Sequence, residues 1–263
     1  MPDKLFLWPE APGALGTADE DKPHLLPFLL DTDKPRGLVI VCPGGGYVMR
    51  APHEADPIAE MLNAHGYHAV VLHYRVAPYK HPRPLQDAQR AIRLVRSKAA
   101  EWHVDPQHIG MLGFSAGGHL TATASTHYDL GDPLSADPVE RFSCRPDASV
   151  LCYAVVSFLP FSHSGSRSNL MGENPSLALI TDLSNELRIT SDTPPAFIWH
   201  CADDNGVHPE NALRYASALG IHGIPYELHI YQKGGHGSGL GLDDPAMSTW
   251  GDLLGIWLGR NGF

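Results

Sequence analysis

Short apolar runs, each fenced by glycine, proline or polar residues, alternate with amphipathic stretches from about residue 37 onward, and few folds accept that pattern. Leu38-Val39-Ile40-Val41-Cys42 lies between Gly37 and Pro43, and a continuous run of this kind suits a strand buried on both faces. Ala69 to Leu72, Ile109 to Leu112, Ser149 to Val156 and Ala196 to Trp199 repeat it, and Tyr226 to Tyr231 supplies a final strand. Between the second and third runs, Leu85, Ala88, Ile92, Val95, Ala99 and Trp102 recur at alternating steps of three and four, the stripe of a helix. Arg90, Arg93, Arg96 and Lys98 fall off that stripe and are expected on a solvated face. Ala55, Ile58, Ala59 and Leu62 mark a shorter helix in the same way. Strands alternating with helices imply right-handed βαβ crossovers, hence an α/β fold with a mostly parallel twisted sheet and helices on both faces.

Two stretches stand outside the alternation. Leu5 to Trp8 and Leu25 to Leu30 read as an antiparallel hairpin on the sheet edge. The segment 157–194 is rich in Ser, Asn, Gly and Pro and is too long for a simple connection. It is expected to form a small lid-like insertion over the active-site end of the sheet, with Phe158, Leu159 and Phe161 as candidate apolar lining. Neither an internal repeat nor a second core is visible, so residues 1–263 are read as one domain.

Composition narrows the function classes. The formal net charge is −10, which offers no basic surface to a nucleic-acid backbone. No apolar run reaches the ~20 residues a bilayer span needs, so no membrane partner is expected. Pro2, Pro9, Pro12, Pro23 and Pro27 interrupt the N-terminal stretch, a composition foreign to a signal-peptide core. Cys42, Cys144, Cys152 and Cys201 lack metal-type spacing and mostly sit in or beside apolar runs, so they are read as buried thiols in a reducing compartment. These features predict a cytoplasmic location, with no nucleic-acid, membrane or metal partner. Homo-oligomer formation is compatible with the sequence.

Gly113-Phe114-Ser115-Ala116-Gly117 is a G-x-S-x-G motif placed between an apolar strand and a helix-compatible stretch, His119 to Ala124. That context makes it a candidate nucleophile elbow, with Ser115 on a sharp strand-to-helix turn. A helix beginning there would present backbone N–H groups to an oxyanion. The loop after Cys42, Pro43-Gly44-Gly45-Gly46-Tyr47, offers further inward-facing N–H groups, and Gly45, Gly46 and Ala116 are the candidate oxyanion donors. The lysine of a phosphate-binding loop is missing from it.

Past the run Ala196 to Trp199 come two adjacent acids, Asp203 and Asp204, and past the last strand Lys233-Gly234-Gly235-His236-Gly237. The chain has 16 histidines, so His236 is singled out by position alone. Ser115, an aspartate and His236 occur in the chain order of an α/β-hydrolase triad, which neither chymotrypsin-like nor subtilisin-like proteases share.

These residues resemble small bacterial α/β-hydrolases of the acetyl xylan esterase type. Cys42-Pro-Gly-Gly-Gly-Tyr47, Glu101-Trp-His-Val-Asp-Pro106, Gly113-Phe-Ser-Ala-Gly-Gly-His-Leu120 and Arg145-Pro-Asp147 carry the likeness. Thr193-Pro-Pro195, Trp199-His-Cys-Ala-Asp-Asp204, Pro209-Glu-Asn211 and Gly234-Gly-His-Gly237 complete it. The resemblance favours Asp204 over Asp203 as the acid, because Asp204 stands three before Val207 as in the D-x-x-V loop of such enzymes; Asp203 is then expected to stabilise the turn. It implies cofactor-free hydrolysis of short-chain, above all acetyl, esters of small alcohols or acetylated oligosaccharides. Two departures are present. Pro43 replaces the histidine of the His-Gly-Gly-Gly loop of hormone-sensitive-lipase relatives, and His208 stands where proline is frequent. Two alternatives stay open: a peptidase similar to prolyl oligopeptidases, and a catalytically silent binding protein on the same fold.

Overall fold

In the computed structural model, which describes residues 3–263, the apolar runs form the centre of one eight-stranded sheet. The strands are β1 (Leu5–Phe6), β2 (His24–Phe28), β3 (Arg36–Cys42), β4 (His68–His73), β5 (Val104–Phe114), β6 (Ala148–Cys152), β7 (Ala196–Cys201) and β8 (Tyr226–Tyr231). Their order is β1-β2-β4-β3-β5-β6-β7-β8. All pairs from β4 through β8 are parallel, while β2 runs antiparallel to both β1 and β4. The N-terminal pair thus forms the expected antiparallel edge, although a long connection replaces a tight turn.

Alternation along the central strands divides the core between the faces. Leu38, Ile40 and Cys42 pack with Leu85, Ala88, Ile92 and Val95 of α2 (Arg83–Ser97) and with Leu120 and Ala124 of α3 (Ser115–Thr126). Val39 and Val41 point the other way, against Ile58 and Leu62 of α1 (Asp56–Ala64) and Trp250, Leu254 and Leu258 of the C-terminal helix (Trp250–Arg260). Under β6 and β7, Leu151 and Ile198 meet Ala212, Tyr215 and Leu219 of the helix Glu210–Ile221. Both faces are therefore covered, and the strands can be apolar at every position.

Three details differ from the sequence reading. The strand expected through Val156 ends at Cys152, because Tyr153 turns left-handed at φ 35°. Residues 153–156 stay buried as irregular chain, anchored where Val155 N–H donates to the Ser115 carbonyl at 3.1 Å. Arg90 and Arg93 are not on a solvated face: both are buried under residues 127–147. Arg90 pairs with Asp137 and Glu140, Arg93 with Asp129, and Arg96 with Asp147. Lys98 pairs with the exposed Glu101, as a surface position would. Phe158, expected as pocket lining, is fully buried against the His119 ring at 4.3 Å.

The insertion 157–194 carries two short helices, α4 (Ser164–Met171) and α5 (Leu177–Asp182). It leaves the sheet at the C-terminal end of β6 and reaches two neighbours. Leu170 C=O accepts from His81 N–H at 2.8 Å, and Leu183 C=O accepts from His119 Nε2 at 2.8 Å. Its starting point is pinned by Asn211, whose Oδ1 accepts from Val156 and Ser157 N–H. Among the described residues, no helix is long and apolar enough to cross a membrane. All four cysteines are buried and unbridged.

Candidate active site

β5 passes into α3 without a loop, and Ser115 is the first helical residue, at φ 50°. A non-glycine residue holds this left-handed conformation only where its surroundings enforce it. The enforcement is close packing: a Cβ on Gly113 would collide with the Gly117 carbonyl, and one on Gly117 with the carbonyls of Cys42 and Pro43. The elbow is thereby pressed against the end of β3, which brings the glycine loop next to the serine.

Ser115, His236 and Asp204 are brought together in one hydrogen-bonded line. His236 Nδ1 donates to Asp204 Oδ2 at 2.7 Å, which leaves Nε2 as the acceptor for the Ser115 hydroxyl at 2.8 Å. Asp204 Oδ1 accepts from the N–H groups of Gly206 and Val207 at 2.8 and 2.9 Å, so the three-residue spacing to Val207 closes a turn around the carboxylate. Burial would raise the Asp204 carboxyl, but hydrogen bonds from His200, His236 and Val207 N–H outweigh it and hold it well below the usual range. His200, fully buried, places Nε2 3.1 Å from Asp204 Oδ2 and 2.9 Å from the Val207 carbonyl. Asp203 points away from this line, and its Oδ1 accepts from Gly235 N–H at 2.9 Å. It therefore ties the loop of Asp204 to the loop bearing His236.

The glycine loop presents its N–H groups by a chain of pinned carbonyls. Gly44 C=O accepts from Ala51 N–H at 3.0 Å, Gly45 C=O from Val48 and Met49 N–H, and Gly46 C=O from Asn169 Nδ2 at 2.8 Å. In a planar trans peptide the N–H opposes the C=O, so the N–H groups of Gly45, Gly46 and Tyr47 point away from these contacts. Gly44 N–H is already taken by Glu54 Oε2 at 2.7 Å. Among the described residues neither Gly45 nor Gly46 N–H meets a protein acceptor. Ala116, in the first turn of α3, has an N–H free of intrahelical bonding by helix geometry.

Several residues of this constellation carry no sequence signal. Glu54, Tyr153 and Asn169 sit outside every recognisable motif and join it through tertiary contacts alone, while His200 lies within the Trp199 to Asp204 motif with nothing in the sequence to assign it a part. The insertion contributes Asn169 directly and His163 nearby. Burial, then the neighbouring charge of His236, lowers the affinity of His163 for a proton. Phe161, also expected as lining, stacks on His208 at 4.5 Å with Arg214 over its ring. Among the described residues no cluster of three or more His, Cys, Asp or Glu side chains is arranged for a metal ion.

The BD-FAE family model matches residues 29–219. An acetylxylan esterase of Xylanibacter ruminicola is 34% identical over 93% of this chain and 49% of its own. The endo-1,4-beta-xylanase B of Butyrivibrio fibrisolvens is 33% identical over 87% of this chain and 36% of its own. The chain thus spans half or less of the length of these two curated relatives. The crystal structure of an acetyl ester-xyloside bifunctional hydrolase from Caldicellulosiruptor lactoaceticus superposes with a TM-score of 0.96 at 48% identity, covering 100% of this chain and 98% of that one. The chain belongs to the BD-FAE family of esterases on the α/β-hydrolase fold.

Proposed function

We propose that the chain is a single catalytic domain that hydrolyses short-chain carboxylic esters, above all acetyl esters of xylo-oligosaccharides and similar small alcohols, through an acyl-enzyme on Ser115. One observation carries this reading: the unbroken line from Ser115 Oγ through His236 to Asp204, beside N–H groups of the glycine loop that have no protein acceptor. In the first half-reaction Ser115 Oγ attacks the ester carbonyl while His236 Nε2 takes its proton. Asp204 keeps the Nδ1–H tautomer and stabilises the imidazolium that forms. The developing oxyanion is received by the N–H groups of Ala116, Gly45 and Gly46, each such donor being worth about 3 kcal/mol of barrier. His236 then protonates the departing alcohol oxygen. In the second half-reaction it deprotonates a water that attacks the acyl-Ser115 carbonyl, then returns that proton to Ser115 Oγ as the bond to the acyl carbon breaks and the carboxylic acid leaves.

The acetyl and xylan assignment rests on the resemblance and on the activities named for the two relatives and the superposed hydrolase. A location in the cytoplasm would restrict the substrate to soluble acetylated oligosaccharides.

Ser115→Ala tests the reading. Turnover of p-nitrophenyl acetate should fall by at least about a thousandfold, with the thermal midpoint nearly unchanged, since the hydroxyl serves chemistry more than packing. Residual activity within tenfold of the parent would remove Ser115 from its role. Fluorophosphonate labelling and peptide chromogens separate the alternatives: a silent binding protein would not be labelled, and a peptidase would prefer the peptides.

A further inference from the structure

We propose that Glu54 is a positioning residue that locks the oxyanion loop to the loop carrying the base, an inference that rests on the site roles proposed above. Glu54 lies ten residues beyond Gly44, in the short turn Pro52–Glu54, and its side chain is 3% exposed. Oε2 accepts from Gly44 N–H at 2.7 Å. Oε1 lies 2.6 Å from the Tyr153 hydroxyl, and that hydroxyl oxygen lies 3.0 Å from Gly239 N–H. An N–H can only donate, so the Tyr153 oxygen accepts from Gly239 and its own proton points to Glu54. Burial, then the adjacent Glu54 carboxylate, pushes the Tyr153 hydroxyl well above its ordinary range, which keeps that proton in place.

Both Glu54 oxygens therefore accept, and one chain runs Gly44–Glu54–Tyr153–Gly239 behind the nucleophile. It starts at the glycine whose carbonyl orients the Gly45 N–H and ends three residues past His236. The Tyr153 ring also packs edge-on against the His236 ring, with centroids 5.0 Å apart. A second link runs parallel to the first: His53 Nε2 donates to the Gly237 carbonyl at 2.9 Å. Burying a carboxylate is costly unless its acceptor capacity is used. Here it is used on two different loops, which a neutral amide of the same shape cannot do. In glutamine one acceptor becomes a donor, which either opposes Gly44 N–H or turns the Tyr153 hydroxyl from donor to acceptor and leaves its proton without that partner.

Glu54→Gln should lower kcat for p-nitrophenyl acetate by about ten- to a hundredfold, below the cost of deleting an oxyanion donor outright, while KM changes less than about threefold. Tyr153→Phe removes only the middle hydroxyl and should lower kcat comparably. The double variant should be no worse than the poorer single one, since both break one chain. Affinity for a boronic acid, which mimics the tetrahedral intermediate, should fall in step with kcat, whereas a purely structural role would leave it unchanged in the folded fraction. If Glu54→Gln does not fold, Tyr153→Phe carries the test alone. Parental kcat in a folded Glu54→Gln or Tyr153→Phe variant, or additive losses in the double variant, would overturn the assignment. A Ser115→Ala enzyme that still turns over would instead overturn the underlying reading of the site.

Discussion

Asp203 and Asp204 are neighbours in sequence with divergent surroundings, and this separates their roles. Asp204 accepts hydrogen bonds on both oxygens inside a closed turn and meets His236, whereas Asp203 is exposed and holds only the Gly235 amide. Asp204→Asn should lower kcat by about four orders of magnitude, because an amide donor facing Nδ1 favours the wrong imidazole tautomer. Asp203→Asn keeps an acceptor for Gly235 and should cost less than about tenfold. Steady-state kinetics of the pair decides the matter, and the reverse ranking would reassign the acid. His119 makes a second residue-scale case. It is fully buried, with Nδ1 accepting from the Tyr47 hydroxyl at 2.8 Å and Nε2–H donating to Leu183 C=O. Burial pushes its pKa down to about 3. Below its ordinary value the unfolded chain binds a proton there that the folded chain refuses, so stability is lost as pH falls from about 6.5 toward 3. Replacing His119 by Gln should flatten the pH dependence of unfolding free energy in that window by up to about one proton. An unchanged slope in urea titrations would show that His119 protonates in the folded state.

At the scale of elements, we propose that the insertion 157–194 sets what the site accepts. Phe158 is committed to the core beneath His119, and Phe161, though partly exposed, stacks on His208. With Phe158 withdrawn from any groove wall, a short acyl group is the expected fit. For p-nitrophenyl esters, kcat/KM should fall steeply between butanoyl and octanoyl, with no interfacial activation above the solubility limit. Equal or rising kcat/KM toward octanoyl would make the enzyme lipase-like. The central strands were legible in the sequence because burial on both faces writes itself as an uninterrupted apolar run, as in Leu38 to Cys42. α4 and α5 were not, since Ser164 to Met171 is short, polar and held by tertiary bonds rather than by an apolar stripe. Arg90 and Arg93 misled for a related reason. Their carboxylate partners lie in 127–147, and no periodicity within α2 can announce them. Glu54 and Asn169 go further still, their partners Tyr153 and Gly46 lying 99 and 123 residues away.

Across the whole molecule, the site is a consequence of sheet topology. Parallel strands β3, β5, β6 and β7 release their loops at one end, so the glycine loop, the Ser115 elbow, Tyr153 and the Asp204 turn converge there although they are remote in sequence. The order of Ser115, Asp204 and His236 was readable from sequence because each follows a recognisable strand. The orientation of the glycine loop was not, because it depends on Asn169, Ala51 and Glu54 acting on successive peptides. The central claim is that this convergence performs acyl transfer through Ser115, and trapping the intermediate tests it most directly. Protein quenched in acid during turnover of p-nitrophenyl acetate should carry one acetyl group on the peptide containing Ser115, and the Ser115→Ala variant should carry none. Turnover at the parental rate with no acetyl on that peptide, or with acetyl on another residue whose replacement stops turnover, would contradict the account.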